Sequence, residues 1–212
     1  GRHQGQMTTF IQLSDNTVTT HAAFLELAAQ YAHVFTKLGL EPGDRVAVQI
    51  EKSLQSIAVY AACTQAGLIF LPLNTAYTAE EISYFVHDSK ARIVLCDSKN
   101  ADLLKPVSIA AGAILETMDA AGQGSFSQQA TEMPTKFQTV VRSKDDLAAF
   151  LYTSGTTGRS KGAMLTQENL LSNGQVLTTE WEFTASDVLL HALPIFHTHG
   201  LFVATNIALL AG

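Results

Sequence analysis

The residues best suited to do chemistry lie in one short stretch, YTSGTTGRSKG, from Tyr152 to Gly162. Its three glycines let successive backbone N–H groups turn toward one concavity, because glycine lacks the Cβ atom that restricts backbone dihedrals. The hydroxyl groups orient freely as donors, and Lys161 adds a positive charge. Hydrogen bonds to a charged partner contribute about 1.5–3 kcal/mol each, so about three or four would hold a polyphosphate. The stretch therefore predicts a phosphate-binding loop.

Two alternatives to this interpretation are a flexible linker and the loop of a P-loop NTPase. A Ser/Gly linker needs no lysine and has no reason to lie between two apolar, strand-like segments. The P-loop pattern G-x-x-x-x-G-K-[ST] requires glycine where this chain has Ser160, and a hydroxyl residue where it has Gly162. The Rossmann pattern G-x-G-x-x-G is absent as well. An NTPase with a degenerate loop remains as a rival hypothesis, which carboxylate-independent hydrolysis of ATP to ADP would reveal.

The stretch resembles the signature [YF]-T-S-G-[ST]-T-G-x-P-K-G of the adenylate-forming enzymes, which include acyl-CoA synthetases, luciferases and nonribosomal adenylation domains. Every position matches except Ser160, where the family usually has proline. A second stretch, LPIFHTHGL, is similar to the family's L-P-[LM]-[FY]-H-x-x-G segment, which lines the acyl pocket. GLEPGDRVAVQI and AGLIFLPLN extend the resemblance, which runs from about Phe10 to Gly212. Within the family, HTHGLFVATN is closest to malonyl-CoA synthetases.

The resemblance implies that ATP activates a small carboxylic acid as an acyl-adenylate, releasing pyrophosphate, and that coenzyme A then displaces AMP. It implies that Mg²⁺ accompanies ATP, with Thr157 as the metal-contacting residue. Positioning and charge stabilisation would be the protein's main contributions to the in-line displacement. Because pyrophosphate must leave, the loop is expected to be mobile, which its glycines favour. The residues expected to contact the ATP phosphates are Thr153, Ser154, Gly155, Thr156, Thr157, Gly158 and Lys161.

His197 is the catalytic candidate that the resemblance implies, at the junction between the α-phosphate and the acyl pocket. It would contact the carboxylate or gate the pocket; the alternative is a core histidine that bonds a backbone carbonyl. Thr198 and His199 are lesser candidates for binding substrate, because a small dicarboxylic acid needs polar donors. Capping a helix start is their alternative role. The other histidines are expected to be solvated or packed, and Trp181 is expected in the core.

The elements predicted around these stretches alternate between apolar strands and amphipathic helices, which favours an α/β fold with a largely parallel sheet covered on both faces. The pattern is weaker from about Lys99 to Asp145, and the polar stretch GQGSFSQQATEMPT within this region is expected to be a surface connection. A buried strand is predicted over Asp187–Phe196, and an apolar helix is predicted to end at Gly212. The predicted earlier helices lie within residues 19–39, 54–66 and 78–89, and the strands at 45–50, 69–74 and 92–97.

The composition excludes several classes of partner. A formal charge of -6 argues against general binding to nucleic acid or acidic membranes. Cys63 and Cys96 lie in apolar runs and are predicted to be reduced and buried, which favours the cytoplasm. The first residues have no apolar core of a signal peptide, and the longest apolar run, Leu201 to Ala211, is too short to span a bilayer.

The later motifs of the family are not found: N-x-Y-G-x-T-E, T-G-D and the catalytic lysine of the C-terminal lid. We therefore expect residues 10–212 to be the N-terminal part of an adenylation domain, without its lid. Residues 1–9 are expected to be a cloning remnant or a disordered start. The 212-residue chain alone is predicted to be inactive, and carboxylate-dependent AMP production by it would contradict this. Another short-chain acyl-CoA synthetase, or a silent phosphate-binding scaffold of the same fold, remains as an alternative.

Overall fold

The computed structural model describes residues 5–153 and 160–212. The strands in these two ranges are β1 (Thr9–Gln12), β2 (Val18–Thr20), β3 (Arg45–Gln49), β4 (Ile69–Pro72), β5 (Ile93–Cys96), β6 (Ile114–Thr117), β7 (Leu147–Thr153) and β8 (Lys161–Thr166). The α-helices there are α1 (His21–Lys37), α2 (Leu54–Ala66), α3 (Ala79–Ser89), α4 (Ala101–Ala111), α5 (Ser125–Ala130), α6 (Gln167–Glu180) and α7 (Asn206–Ala211). A π-helical turn, His199–Thr205, leads directly into α7.

The main sheet has the strand order β6-β5-β3-β4-β7-β8 among the described residues. All neighbouring pairs are parallel except β7 and β8, which are antiparallel. The predicted α/β fold with a largely parallel sheet is therefore confirmed. The carboxyl ends of β3, β4 and β7 lie at the same edge of the sheet, which is where ligands bind in open α/β sheets.

Both faces of the sheet are covered, as the apolar strands predicted. On β3, Val46 and Val48 belong to one buried cluster and Ala47 belongs to the other. The first cluster includes Phe35 from α1 and residues of α2, and the second includes Phe85 from α3 and residues of α4. Alternate residues of a strand point to opposite faces, so a strand buried on both sides has no polar alternation.

Side-chain caps fix the starts of three helices. The side-chain oxygens of Thr20, Ser53 and Thr78 accept hydrogen bonds from backbone N–H groups in the first turns of α1, α2 and α3. At Thr78 the cap is reciprocal, because the Glu81 carboxylate accepts from the Thr78 N–H at 2.8 Å. At the other end of α2, Gly67 has a left-handed conformation, with φ of 71°.

Some sequence predictions are wrong. The stretch GQGSFSQQATEMPT is not only a surface connection, since it contains α5, whose Phe126 is fully buried, and the weakly patterned region around it also contains α4 and β6. Trp181 is 60% exposed and does not belong to the core. Asp187–Phe196 has no strand, and its Val188 and Leu190 side chains are 95% and 89% exposed. The antiparallel β1–β2 pair was not predicted.

The two cysteines are free and buried, as predicted. Burial raises the pKa of the Cys63 thiol. Burial and the nearby Asp97 carboxylate raise the pKa of Cys96 to about 12. No helix among the described residues has the length and apolar character needed to cross a bilayer. The proposed division of the chain at residue 9 stays a prediction, although Thr8 already accepts a backbone hydrogen bond from His21.

Candidate functional site

The predicted phosphate loop joins β7 to β8, so it is the connection of an antiparallel hairpin. Thr153 and Lys161 are paired at the loop end of this hairpin, and both are exposed. Their hydroxyl and ammonium groups are therefore accessible to a ligand at the carboxyl edge of the parallel strands. The other phosphate-binding predictions, Ser154, Gly155, Thr156, Thr157 and Gly158, lie outside the described residues.

Two tyrosines connect the flanks of this loop to helix α3. The Tyr84 hydroxyl donates a hydrogen bond to the backbone oxygen of Ser160 at 3.0 Å. The Tyr152 hydroxyl donates to the Asp88 carboxylate at 2.6 Å, and its ring lies 4.3 Å from that of Phe85. Burial and the Asp88 carboxylate raise the pKa of Tyr152, so this hydroxyl stays protonated and keeps donating. Both flanks of the loop are thus held by one helix.

Gly162 follows Lys161 and allows close packing across the hairpin. A methyl group on Gly162 would lie 2.0 Å from a ring carbon of Phe150. Phe150 and Gly162 lie on the same face of the β7–β8 ladder, because they are two residues apart in its register. Glycine at this position therefore has a packing reason in addition to any need for loop flexibility.

The second predicted segment forms a turn that presents His197 to solvent. His197, Thr198 and His199 are exposed, at and just before the start of the π-helical turn. The alternative of a core histidine is therefore wrong for His197. Thr198 makes no side-chain capping hydrogen bond, so its alternative capping role is not supported either. The Phe196 ring lies 4.5 Å from the imidazole of His197 and flanks it on one side.

A cleft of about 60 Å³ lies beside this turn at the carboxyl ends of β3 and β4. Pro194, Ile195 and Phe196 form one wall of the cleft. The other residues around it come from the sheet and from the connections after β3 and β4: Val48, Ile50, Glu51, Lys52, Ser56, Phe70, Pro72, Leu73 and Thr75. The His197 turn and the β7–β8 loop therefore belong to the same edge of the sheet.

Lys52 crosses from the end of β3 to the chain before His197. Its ammonium group donates hydrogen bonds to the backbone oxygens of His191 and, at 2.9 Å, Leu193. Burial lowers the pKa of Lys52. Burial, and then the charge of Lys52, lowers the pKa of His191, so the neutral imidazole is favoured there.

A family model described as AMP-binding enzyme matches residues 2–212 of the chain. The chain belongs to this family. Membership in the AMP-binding family sets aside the hypothesis of a degenerate P-loop NTPase, and it agrees with the loop between β7 and β8 and with the turn at His197.

Three relatives within the AMP-binding family are informative. A structure of ATP-bound MatB from Rhodopseudomonas palustris superposes with a TM-score of 0.94 at 46% identity, over 97% of this chain and 41% of that one. Oxalate–CoA ligase from Arabidopsis thaliana is 33% identical over 206 residues, 91% of this chain and 38% of that protein. Malonate–CoA ligase from the same plant is 27% identical over 94% of this chain and 34% of its own length. The chain thus spans about two fifths of the relatives it matches.

The metal prediction for this AMP-binding chain rests on Thr157, which lies outside the described residues. Within residues 5–153 and 160–212, no group of three or more His, Cys, Asp or Glu side chains is placed to hold a metal ion. The exposed hydroxyl and ammonium groups at the loop end of the β7–β8 hairpin are suited to bind phosphate oxygens. The metal ion would accompany those phosphates.

Sequence reasoning missed Lys52, Tyr84 and Asp88, which contact the two candidate segments. Tyr84 and Asp88 are ordinary surface positions of an amphipathic helix in the sequence, and their contacts are distant along the chain. Lys52 offered one weak signal, because it is a lone cation between an apolar strand and a helix cap. Only the fold shows which groups these side chains reach.

Proposed function

We propose that the protein carrying this chain is an ATP-dependent carboxylate–CoA ligase. The observation that carries the proposal is the β7–β8 hairpin, whose exposed Thr153 and Lys161 flank the loop in a chain of the AMP-binding family. The carboxylate attacks the α-phosphate of ATP, which forms an acyl-adenylate and releases pyrophosphate. The thiolate of coenzyme A then attacks the acyl carbon and releases AMP, which leaves a thioester. The CoA ligases among its relatives support this reaction class.

In the first step, the hairpin would hold the departing phosphates. Lys161 supplies a positive charge that compensates the charge developing on pyrophosphate, and the Thr153 hydroxyl donates a hydrogen bond. Ser154, Gly155, Thr156, Thr157 and Gly158 are proposed to complete the contacts. Mg²⁺, where bound to the phosphates, would add further charge compensation, with Thr157 as the proposed contact.

His197 is proposed as the catalytic residue near the reacting carboxylate. Its exposure at the sheet edge leaves the imidazole accessible for contact with the carboxylate or for gating the acyl pocket. Thr198 and His199 are proposed to contribute donors to the acid. Neutral and protonated imidazoles both offer an N–H group to a carboxylate oxygen, so the contact does not require one charge state.

Malonate is the proposed acid. Two observations support a small dicarboxylic acid: the exposed polar side chains of Thr198 and His199, and the presence of an oxalate–CoA ligase and a malonate–CoA ligase among the relatives. A second carboxylate needs polar partners, whereas a fatty acyl chain needs apolar ones. We further propose a cytoplasmic location, which the two free buried cysteines support.

The test is carboxylate-dependent ATP–pyrophosphate exchange, measured on the natural protein that contains this sequence. Malonate, methylmalonate, acetate and a medium-chain fatty acid would be compared. We expect exchange with malonate that exceeds exchange with either monoacid. Exchange with a monoacid alone would keep the ligase and contradict the malonate proposal, and no exchange across a broader panel would contradict the ligase.

A pair of histidine variants makes this assay more specific. His197→Ala is expected to lower kcat/KM for the carboxylate by about 10²-fold or more, as for loss of a group acting at the reacting centre. His87→Ala is the matched control. His87 is an exposed histidine whose imidazole is hydrogen-bonded to the backbone oxygen of Ser83 in the same helix. Equal activity of the two variants would contradict the proposed role of His197.

A further inference from the structure

The segment that carries His197 is held by few contacts of its own. Residues 187–197 form neither a helix nor a strand. Several of their apolar side chains are exposed. Ile195, by contrast, is buried in the first of the two hydrophobic clusters described above. A turn without regular backbone hydrogen bonds needs side-chain partners for its carbonyl groups if it is to keep one conformation.

Lys52 supplies those partners at the start of the turn. Its ammonium group donates to the carbonyl oxygens of His191 and Leu193. Lys52 itself is fixed in position, because it lies between β3 and Ser53, whose side chain caps α2. A charged donor forms stronger hydrogen bonds than a neutral one, so this contact ties the irregular segment to the rigid end of the sheet.

Close packing fixes the far end of the same turn. A methyl group on Gly200 would lie 2.0 Å from the carbonyl oxygen of Pro194, so the chain returns to within contact of itself around His197. Beyond the turn, the Tyr60 hydroxyl donates to the Asn206 side chain at 3.1 Å, and the Tyr60 ring packs against that of Phe202. Lys52 on one side and Gly200 on the other, together with the buried Ile195, therefore hold the turn that carries His197.

We infer that Lys52 is a positioning residue for His197, which acts by holding the carbonyl groups of His191 and Leu193. The inference rests on the proposed function, because it assigns Lys52 a part in binding and activating the carboxylate. Lys52 does not transfer a proton or contact the reacting atoms in this role. Its effect on activity passes through the location of the imidazole, and a displacement of about 1 Å in a catalytic group is enough to cost about 10²-fold in rate.

The first test compares Lys52→Met and Lys52→Arg in the natural protein that contains this sequence. Lys52→Met keeps the stem length and removes the donors, and we expect it to lower kcat/KM for the carboxylate by about tenfold or more, with the KM for ATP changed less than about twofold. Lys52→Arg keeps donors that reach two carbonyls and is expected to restore most of the activity. Lys105→Met, at an exposed lysine of α4, is the control. Equal losses in Lys52→Met and Lys52→Arg would overturn the inference.

A double-mutant cycle separates positioning from direct contact with substrate. If Lys52 acts through His197, adding Lys52→Met to the His197→Ala variant causes little further loss. If the two losses multiply, Lys52 works independently of His197 and the inference is overturned.

Hydrogen exchange tests the contact between Lys52 and the His197 turn without a measurement of activity. The hydrogen-bonded amides of Ala192 and Leu201 are expected to exchange about tenfold faster in Lys52→Met than in Lys105→Met, because the turn opens more often. Unchanged exchange would overturn the inference even in an active ligase. If the unmodified protein shows no adenylation with any acid, the proposed function fails, and faster exchange still shows that Lys52 holds the turn.

Discussion

The hydroxyl group of Tyr84 lies 3.0 Å from the backbone oxygen of Ser160 and donates a hydrogen bond to it. Tyr84 belongs to α3, and Ser160 directly precedes Lys161, the cation of the proposed phosphate site. Tyr152, on the other flank of the loop, bonds Asp88 of the same helix. The α3 helix therefore sets the positions from which the loop leaves and re-enters the sheet.

Tyr84→Phe removes the hydrogen bond to Ser160 and keeps the ring. We expect a cost of about 0.5–1.5 kcal/mol in the free energy of unfolding and a rise of a few fold in the KM for ATP, because Lys161 loses a fixed neighbour. Denaturant unfolding and ATP-dependent kinetics measure the two effects. Tyr77→Phe is the matched control on the strand-to-helix connection before α3. An unchanged KM for ATP in Tyr84→Phe would contradict the anchoring role.

Tyr152→Phe removes the hydrogen bond to Asp88 and keeps the contact with Phe85. The expected cost is about 1–2 kcal/mol at neutral pH, because the acceptor is a carboxylate but is exposed to water. The pKa of Tyr152 is raised in the folded protein, so this contribution is fully present below the unfolded value of about 10 and declines as the pH rises above it. Unfolding free energies of both proteins at pH 7 and near pH 11 would check this. A difference that grows with pH has the wrong sign for this account.

Gly200→Ala places a methyl group against a backbone oxygen. A backbone oxygen cannot move away by rotation of a side chain. We expect a loss of about 1–3 kcal/mol in stability and a larger effect on the carboxylate KM than on the ATP KM, since the turn around His197 must shift. Gly174→Ala in α6 is the matched control, because its added methyl group meets the flexible end of Leu210, at 2.7 Å. Equal effects of the two substitutions would argue against a special fit at Gly200.

Ionisation of Cys96 is expected to make the free energy of unfolding depend on pH in the alkaline range. Its pKa rises from 9.0 to about 12 on folding, because the buried thiolate is disfavoured and Asp97 repels it. Its contribution is therefore complete below pH 9 and is lost as the pH rises toward the folded value, by at most about 1.4 kcal/mol per pH unit. Unfolding free energies between pH 8 and 11 are expected to fall less steeply in Cys96→Ala than in the unmodified chain. Identical slopes would show that the thiol does not ionise on unfolding.

Much of the fold was predictable because its signals are local. The alternation of Val46 and Ala47 between two apolar faces, the caps at Ser53 and Thr78, and the left-handed glycine at Gly67 all follow from neighbouring residues. The stretch YTSGTTGRSKG could also be recognised from the sequence. The fold alone gives little reason for so many glycine and hydroxyl-bearing residues between two strands. The two segments that flank the loop are strands, as their apolar character predicted.

The failures concern contacts that join distant parts of the chain. Asp187–Phe196 has the apolar run of a buried strand, yet within residues 5–153 and 160–212 it pairs with no strand, and the carbonyl groups of His191 and Leu193 accept from Lys52. Pro194 has no N–H group to donate to a ladder. Phe126 was hidden in a polar segment, because one buried ring within a six-residue helix produces no periodic pattern.

The antiparallel direction of β8 has a consequence for how the proposed phosphate site would hold an anion. In a strand–loop–helix motif, the following helix starts at the carboxyl edge of the sheet, and its macrodipole attracts a phosphate there. Here β8 carries the chain back across the sheet, so α6 begins at the opposite edge. At the proposed phosphate site, a favourable field would then have to come from side-chain charge such as that of Lys161, without help from the next helix. Nucleotide affinity is accordingly expected to weaken as ionic strength screens Lys161.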